Sequence, residues 1–373
     1  MTNCWQRQAI LGLFPLFAGL SLIAGCIFVP QALNGNADFR QLYAGAYMVR
    51  TGLRHELYNL DLQKEVENRT VSPSIQVLPA NHPSYEYFLL TPLTLVSYRA
   101  AYWLWLLINL VVAGICVNRL TQVLDPWLAT CLVFGFIPTA CALFQGQDSV
   151  WMLLVFLLAW RARSDVKSGF FLGLGVFRFH VLIPVLLLYI LWRKWNVLKG
   201  FLLSAAPAAV ISVALVGISG TTLYVREAGA STEVRNGPLA NAYGLCQAMF
   251  GHTQIALFLA LFIATFSLCY ASRRKKPSVA TAALLIPLAT MHLQAHDLVV
   301  LLVPIVASSR SYASIVQFAV AATGLFPPIS FLSGVPSALM FASKDSSTLR
   351  SSSLPRIGHD ELSGDHKGAS IQR

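Results

Sequence analysis

Long apolar runs separated by short polar breaks dominate the chain. From Ala9 to Pro30 the residues are almost wholly apolar, about the 20 that cross a bilayer as one helix. The next run, Tyr85 to Val117, is too long for one ordinary span and is divided at Pro92 and at Tyr98-Arg99. It reads as a re-entrant or interfacial piece, Tyr85–Ser97, followed by a crossing at Ala101–Val117. Further runs follow at Pro126–Phe144, Val150–Trp160, Gly169–Phe177, Val181–Trp192, Phe201–Ile218, Thr253–Tyr270, Val279–Leu293 and Leu298–Ala307. Two weaker ones lie near Ile315–Phe326 and Ile329–Phe341. The runs are continuous rather than alternating, which predicts helices and not barrel strands. The expected fold is an all-α polytopic membrane protein with about 10–12 transmembrane or half-spanning helices. Its membrane-embedded domain covers residues 1–342, with a structured first outer loop at 31–83 and a second at 219–251. Residues 343–373, rich in Ser, Gly and charge, predict a disordered tail.

Composition supports lipid as the solvent. Of 373 residues, 56% are hydrophobic and only 12% charged, against about 25% charged in soluble domains. The net charge of +11 is no nucleic-acid footprint, because Lys and Arg fall in the breaks between apolar runs, where they set topology and meet anionic lipid. The seven cysteines lie apart with no C-x-x-C pair and read as small core residues. Ile23-Ala24-Gly25-Cys26 resembles a lipoprotein cleavage box, but the apolar run continues past it, as an anchor does.

Arg7 puts the N-terminus in the cytoplasm. The clusters Arg161, Arg163, Lys167; Arg193, Lys194, Lys199; and Arg273 to Lys276 then fall on the same side, with Arg119 and Arg310. Both termini are expected in the cytoplasm of a cell (inner) membrane. In the first outer loop, Phe39, Leu42, Tyr43, Ala46 and Tyr47 keep helical spacing, with Arg40, Arg50 and Arg54 on the polar side. This predicts a helix lying in the interface. Gly169, Gly173 and Gly175 predict a face for close helix packing.

That topology, fixed by Lys and Arg alone, gathers Asp38, His82, Gln147, Asp148, Arg178, His180, Asn236, His296 and Asp297 at the outer face. Ionisable groups at membrane depth are costly and mark function by default. Each has a plainer reading: Asp38 and Asp297 as helix caps, Gln147 and Asp148 as a wet turn, Arg178 and His180 as side chains reaching headgroups. Together they suit transfer of a sugar from a lipid phosphate. An acid serves the acceptor hydroxyl as general base, and cations and imidazoles hold the leaving phosphate. Rival readings are a transporter or lipid flippase, which needs a polar path to both faces, and a scaffold indifferent to loss of Asp38.

Several motifs carry a family resemblance. Ala37-Asp38-Phe39 to Tyr58, His82-Pro83-Ser84-Tyr85 with Pro92-Leu93, and Trp103 to Asn109 resemble parts of glycosyltransferase family 87, the polyprenol-dependent group with a GT-C fold. So do Gly146-Gln147-Asp148-Ser149, the glycine-rich stretch Gly169 to Phe177 ending in Arg178-Phe179-His180, and His296-Asp297-Leu298 with Pro304. Arg178 stands where Lys is usual, and Ser84 replaces a second proline. The resemblance implies a GT-C-like helical bundle and inverting transfer of mannose or a related hexose or pentose. The donor would be a polyprenyl-phosphate sugar and the acceptor a glycolipid or cell-wall glycan. It implies Asp38 as base and Arg178, His180 or His296 near the donor phosphate. Gln147, Asp297, His82 and Asp148 complete the expected sugar- and phosphate-binding set. No cofactor beyond the donor lipid, and no required metal, is implied. A glycan ligase with a polyprenyl-diphosphate donor is the enzymatic alternative.

Overall fold

The computed structural model describes residues 4–74, 77–230, 239–251, 253–273 and 277–307, and every regular element among them is helical. The expectations for Asn236, Lys275, Lys276, Arg310, the two weak runs after residue 314 and the tail fall outside these residues.

The chain enters through α1 (Cys4–Leu33). The chain between α1 and the next long helix folds as α2 (Phe39–Arg50), α3 (Leu60–Thr70) and α4 (Ser84–Leu90), the last running into a 3-10 turn at Thr91–Leu95. There follow α5 (Tyr98–Leu120), α6 (Pro126–Phe134), α7 (Ile137–Gln145), α8 (Ser149–Arg161), α9 (Asp165–Leu174), α10 (Phe179–Leu191) and α11 (Trp195–Ala230). A short α12 (Ala242–Phe250) leads to α13 (Gln254–Ser272), α14 (Val279–Ala283), α15 (Ile286–Ala289), a 3-10 turn at Ala295–Leu301 and α16 (Leu302–Ala307).

Among the described residues three helices are long and apolar enough to cross a membrane: α5, α11 over Trp195–Glu227, and α13. The count reaches five if two bent pairs are each one span, α6 with α7 (59°) and α9 with α10 (67°). Shorter apolar helical stretches lie at Ala18–Leu33, Ser149–Arg161, Val279–Ala289 and Ala295–Ala307. Proline accounts for part of the fragmentation. Pro126, Pro138 and Pro287 open helices, where a missing N–H costs nothing. The outward faces of the long helices stay apolar. Leu202, Leu203 and Val210 on α11, and Phe258, Phe262 and Phe266 on α13, are exposed, a surface that water would penalise and acyl chains satisfy.

The tightest packing joins α9 to α11. A Cβ on Gly169 would stand 1.8 Å from the Val197 carbonyl oxygen, and one on Gly200 2.0 Å from that of Val166. Bare backbone is therefore required on both helices. Gly169 and Gly173 belong to the expected small-residue face; its partner Gly200 was not foreseen.

α2 is more enclosed than the expected interfacial helix: ten of its residues are buried, Arg40 among them, so Arg40 does not stand on an exposed polar side. The Arg40 guanidinium is enclosed by Glu67 Oε2 (2.7 Å), Asn68 Oδ1 (2.9 Å), Ser72 Oγ (3.1 Å) and the Gly35 carbonyl (3.2 Å). A buried charge persists only with such pairing. Arg50 and Arg54 are exposed. α2 is thus a core element between α3 and α4, and it holds Asp38 at its first turn.

Candidate functional site

Gly146 closes α7 in the left-handed conformation (φ 71°), which places Gln147 and Asp148 on a tight turn before α8. A Cβ on Gly146 would meet Phe39 Cβ at 2.6 Å. The end of α7 therefore packs directly on the residue next to Asp38. One stripe of α5 fixes the turn from behind. Tyr102 Oη donates to the Phe144 carbonyl (2.9 Å), Trp105 Nε1 to that of Gly146 (2.9 Å) and Asn109 Nδ2 to that of Gln147 (3.3 Å). Trp151 Nε1 donates in turn to Asn109 Oδ1 at 2.9 Å.

Arg178, at the junction of α9 and α10, reaches this turn. Its Nε donates to Asp148 Oδ1 (2.6 Å), its Nη2 also contacts Asp148 Oδ1 and donates to Gln147 Oε1, and its Nη1 lies 3.2 Å from Asp297 Oδ1 and 3.4 Å from His296 Nε2. Every nitrogen of the guanidinium is engaged. Asp297 also accepts from Ser149 Oγ (3.0 Å) and from the Gln294 backbone N–H (3.1 Å). The plain cap reading of Asp297 is therefore present, in a capping box with Gln294, and the same carboxylate also holds Arg178. The wet-turn reading of Gln147 and Asp148 and the headgroup reading of Arg178 fail, because each of the three is at most 5% exposed, whereas His180 is half-buried. The cap reading of Asp38 fails as well: its side chain makes no capping hydrogen bond.

These groups border a cavity of about 420 Å³. Asp38, His82, Gln147, Arg178, His180 and His296 line it, while Asp148 and Asp297 stand behind Arg178. Asp38 is half-buried there. His180 Nε2 lies 3.7 Å from Asp297 Oδ2 and makes no hydrogen bond.

Three further groups were not singled out in the sequence. Glu86 Oε2 lies 2.7 Å from His82 Nδ1, which is also 3.5 Å from Asp148 Oδ2. Burial pushes the Glu86 carboxyl up to about 7, against the pull of His82. Burial opposes charge on His82, but Glu86 and Asp148 outweigh it and raise its pKa. The pair thus shares a proton near neutrality. His292 lines the cavity edge-to-face with His180, ring centres 5.6 Å apart, its Nδ1 without a partner. Burial, with His180 beside it, lowers His292 to about 4 and keeps its imidazole neutral. Glu227, near the C-terminal end of α11, also borders the cavity. Spacing held a signal for two of these: Glu86 follows His82, and His296 follows His292, by four residues.

His82, Glu86 and Asp148 each offer one potential metal-ligand atom within 4.8 Å of the others. The Arg178 guanidinium already sets a positive charge 2.5 Å from Asp148, and His82 Nδ1 is committed to Glu86.

A deep cationic centre, imidazoles facing a cavity and a half-buried carboxylate lining the same cavity suit the handling of a phosphate and a hydroxyl. Residues 82–247 match the family model for glycosyltransferase family 87. The resemblance carried by the motifs is thereby supported over a stretch that includes His82, Gln147, Asp148, Arg178 and His180. Asp38, His296 and Asp297 lie outside that stretch. The match is to a family of glycosyltransferases, spans less than half of the chain, and accompanies helices long and apolar enough to cross a membrane. No curated protein and no solved structure matches the chain.

Proposed function

We propose that the protein transfers a sugar, mannose or a related hexose or pentose, from a polyprenyl-phosphate donor to a glycolipid or cell-wall glycan. In this reading it is a multi-pass, GT-C-like enzyme of the cell membrane, with both termini in the cytoplasm and the cavity at the outer face. One observation carries it: Asp38, free of any capping duty, borders the same cavity as Arg178, His180, His292 and His296.

In the proposed reaction Asp38 accepts the proton of the attacking acceptor hydroxyl as the new glycosidic bond forms. The old anomeric carbon–oxygen bond breaks, and its electron pair leaves on the lipid phosphate. Attack from the face opposite the leaving group inverts the anomeric centre, and no second carboxylate is needed as nucleophile. The departing phosphate meets N–H groups of His180, His292 and His296. Arg178 adds charge from behind, and a phosphate reaching it directly would displace one of its neutral partners, Gln147 or His296. Gln147 offers its amide to sugar hydroxyls. Asp148 and Asp297 hold Arg178 in place, and His82 with Glu86 backs Asp148.

Purified protein in liposomes, given a radiolabelled polyprenyl-phosphate mannose and a glycolipid acceptor, tests the reading. The expected product is a glycolipid one sugar longer with the opposite anomeric configuration. Transfer from polyprenyl-diphosphate donors alone would favour the ligase reading. Label crossing the bilayer without transfer would favour a transporter.

A further inference from the structure

The cavity wall is chemically divided. Three of its four imidazoles, those of His180, His292 and His296, and its arginine come from the α9–α10 junction and from the segment before α16. The wall contributed by α2, by residues 78–82 and by the C-terminal part of α11 adds Asp38, Gln41, Asn81, Glu227 and the fourth imidazole, His82, whose Nδ1 is held by Glu86, and no Lys or Arg.

Glu227 arrives there through a break in α11. Gly217 has φ 72° and ψ −177°, a combination that is essentially glycine's alone. The break is packed rather than loose, since His55 Nδ1 lies 3.2 Å from the Val216 carbonyl oxygen. Beyond it the Tyr224 ring sits 4.9 Å from Tyr58 and 6.3 Å from Phe179, itself a wall residue. Glu227 follows Tyr224 by three positions, on the same helix face. Among the described residues it makes no hydrogen bond or ion pair.

The geometry points to Glu227, with Asn81 and Gln41, as the binding site for the hydroxyls of a neutral, sugar-headed acceptor. This rests on the glycosyl-transfer reading, which alone gives an acceptor meaning. A carboxylate accepts from two hydroxyls through charge-assisted bonds. Amides donate and accept, which suits a molecule with hydroxyls on every side. An acceptor carrying its own phosphate beside the reacting hydroxyl would meet the repulsion of both Glu227 and Asp38 in one small cavity. The cavity thus separates an anionic lipid phosphate on the imidazole wall from a neutral polyol on the acidic wall.

Binding to full-length protein in nanodiscs tests the assignment with three probes: octyl glucoside, its 6-phosphate ester and undecaprenyl phosphate. The parent should bind the neutral glycoside more tightly than the phosphate ester. Glu227→Gln should weaken the neutral glycoside roughly 10-fold, as expected for loss of a charged hydrogen-bond acceptor, and narrow the gap to the ester. Undecaprenyl phosphate should bind the variant as it binds the parent. Asn81→Ala should weaken both glycosides without changing their ratio, a pattern no general loss of structure gives. Equal binding of octyl glucoside by parent and Glu227→Gln, or equal loss of all three probes in both variants, would overturn the assignment. A parent that binds octyl glucoside but not undecaprenyl phosphate would instead remove the donor reading and leave the sugar site standing.

Discussion

Arg178 Nε meets Asp148 Oδ1 at 2.6 Å and joins the α9–α10 junction to the turn between α7 and α8. Because Asp297 faces the same guanidinium at 3.2 Å, one cation neutralises two buried carboxylates from distant parts of the chain. Removing it strands both. Arg178→Gln should cost about 3–5 kcal/mol of stability, the range for breaking a buried pair, and should fail to accumulate as folded protein. Arg178→Lys keeps the charge but loses the fork that spans Asp148, Gln147 and Asp297. It should fold, melt lower and transfer slowly. Thermal unfolding by intrinsic fluorescence, with transfer rates on the folded fraction, checks both. A Gln variant as stable as the parent would show that Arg178 is not the structural hub.

Much of this site was legible because charge placement is read in one dimension. Lys and Arg in the breaks predict an orientation, and that expectation alone puts Gln147, Asp148, Arg178, His180, His296 and Asp297 on one side; the structure brings Gln147, Asp148, His296 and Asp297 to the Arg178 guanidinium, with His180 near Asp297. Burial of individual polar groups was not legible. Arg40 on an apolar-periodic helix looks like an outward-facing charge until α3 brings Glu67 and Asn68 to it, a pairing across 27 residues that no periodicity encodes. Glu86 hid for a related reason. It lies in a stretch that reads as apolar and interfacial, and only the fold sets it beside His82 and Asp148. Helix lengths were overestimated where hydropathy ran smoothly through breaks such as Gly135-Phe136, because lipid-compatible side chains do not report backbone direction.

The α9–α11 contact is close enough for a steric test. Gly169→Ala would drive a methyl group into the Val197 carbonyl, and Gly200→Ala one into that of Val166, each at about 2 Å or less. Neither clash can be relieved by a side-chain rotation, so each variant should lose at least the 1–3 kcal/mol of ordinary overpacking. Gly114→Ala on α5, where nothing lies within 4 Å, should be neutral or slightly stabilising through helix propensity. Melting temperatures of the three proteins in one detergent decide the matter. Equal melting of all three would show that the helices do not pack this closely.

Proton binding at His82 and Glu86 predicts a pH trend. Glu86 is raised from 4.5 to about 7, and His82 is raised from 6.5, so the folded state holds protons that the unfolded chain releases. Stability from the pair is then fully present below the unfolded values and is lost as pH rises through the folded ones. His292, lowered from 6.5 to about 4, acts in the opposite direction below pH 6.5, so the Glu86 contribution is read as the difference between parent and Glu86→Gln, which is permanently neutral. The melting temperature of the parent should fall relative to that variant between pH 5 and about pH 7. A difference that stays constant or rises over this interval would contradict the proton held at Glu86.

Asp38 gives the test most directly tied to chemistry. Its carboxylate sits at the first turn of α2 yet bonds to none of that helix's amides, so the usual structural reason for an acid at this position is absent. Its neighbour Phe39 is pinned by Gly146, which fixes Asp38 against the Gln147 turn and at the cavity wall. Asp38→Asn preserves size and helix preference and removes the proton acceptor. If Asp38 is the base, transfer should fall by about 10²–10⁴-fold with little change in melting temperature. Binding of undecaprenyl phosphate should persist, because the imidazole wall is untouched. Asp38→Ala should be no less stable than Asn by more than a few tenths of a kcal/mol, since no cap is lost; a cap would make that difference about 1 kcal/mol. Transfer assays in liposomes and melting curves on both variants separate the roles. Parent-like turnover in Asp38→Asn would leave the cavity without its base at this position. Among the wall residues it would pass the role to Glu227, the other carboxylate facing the same space.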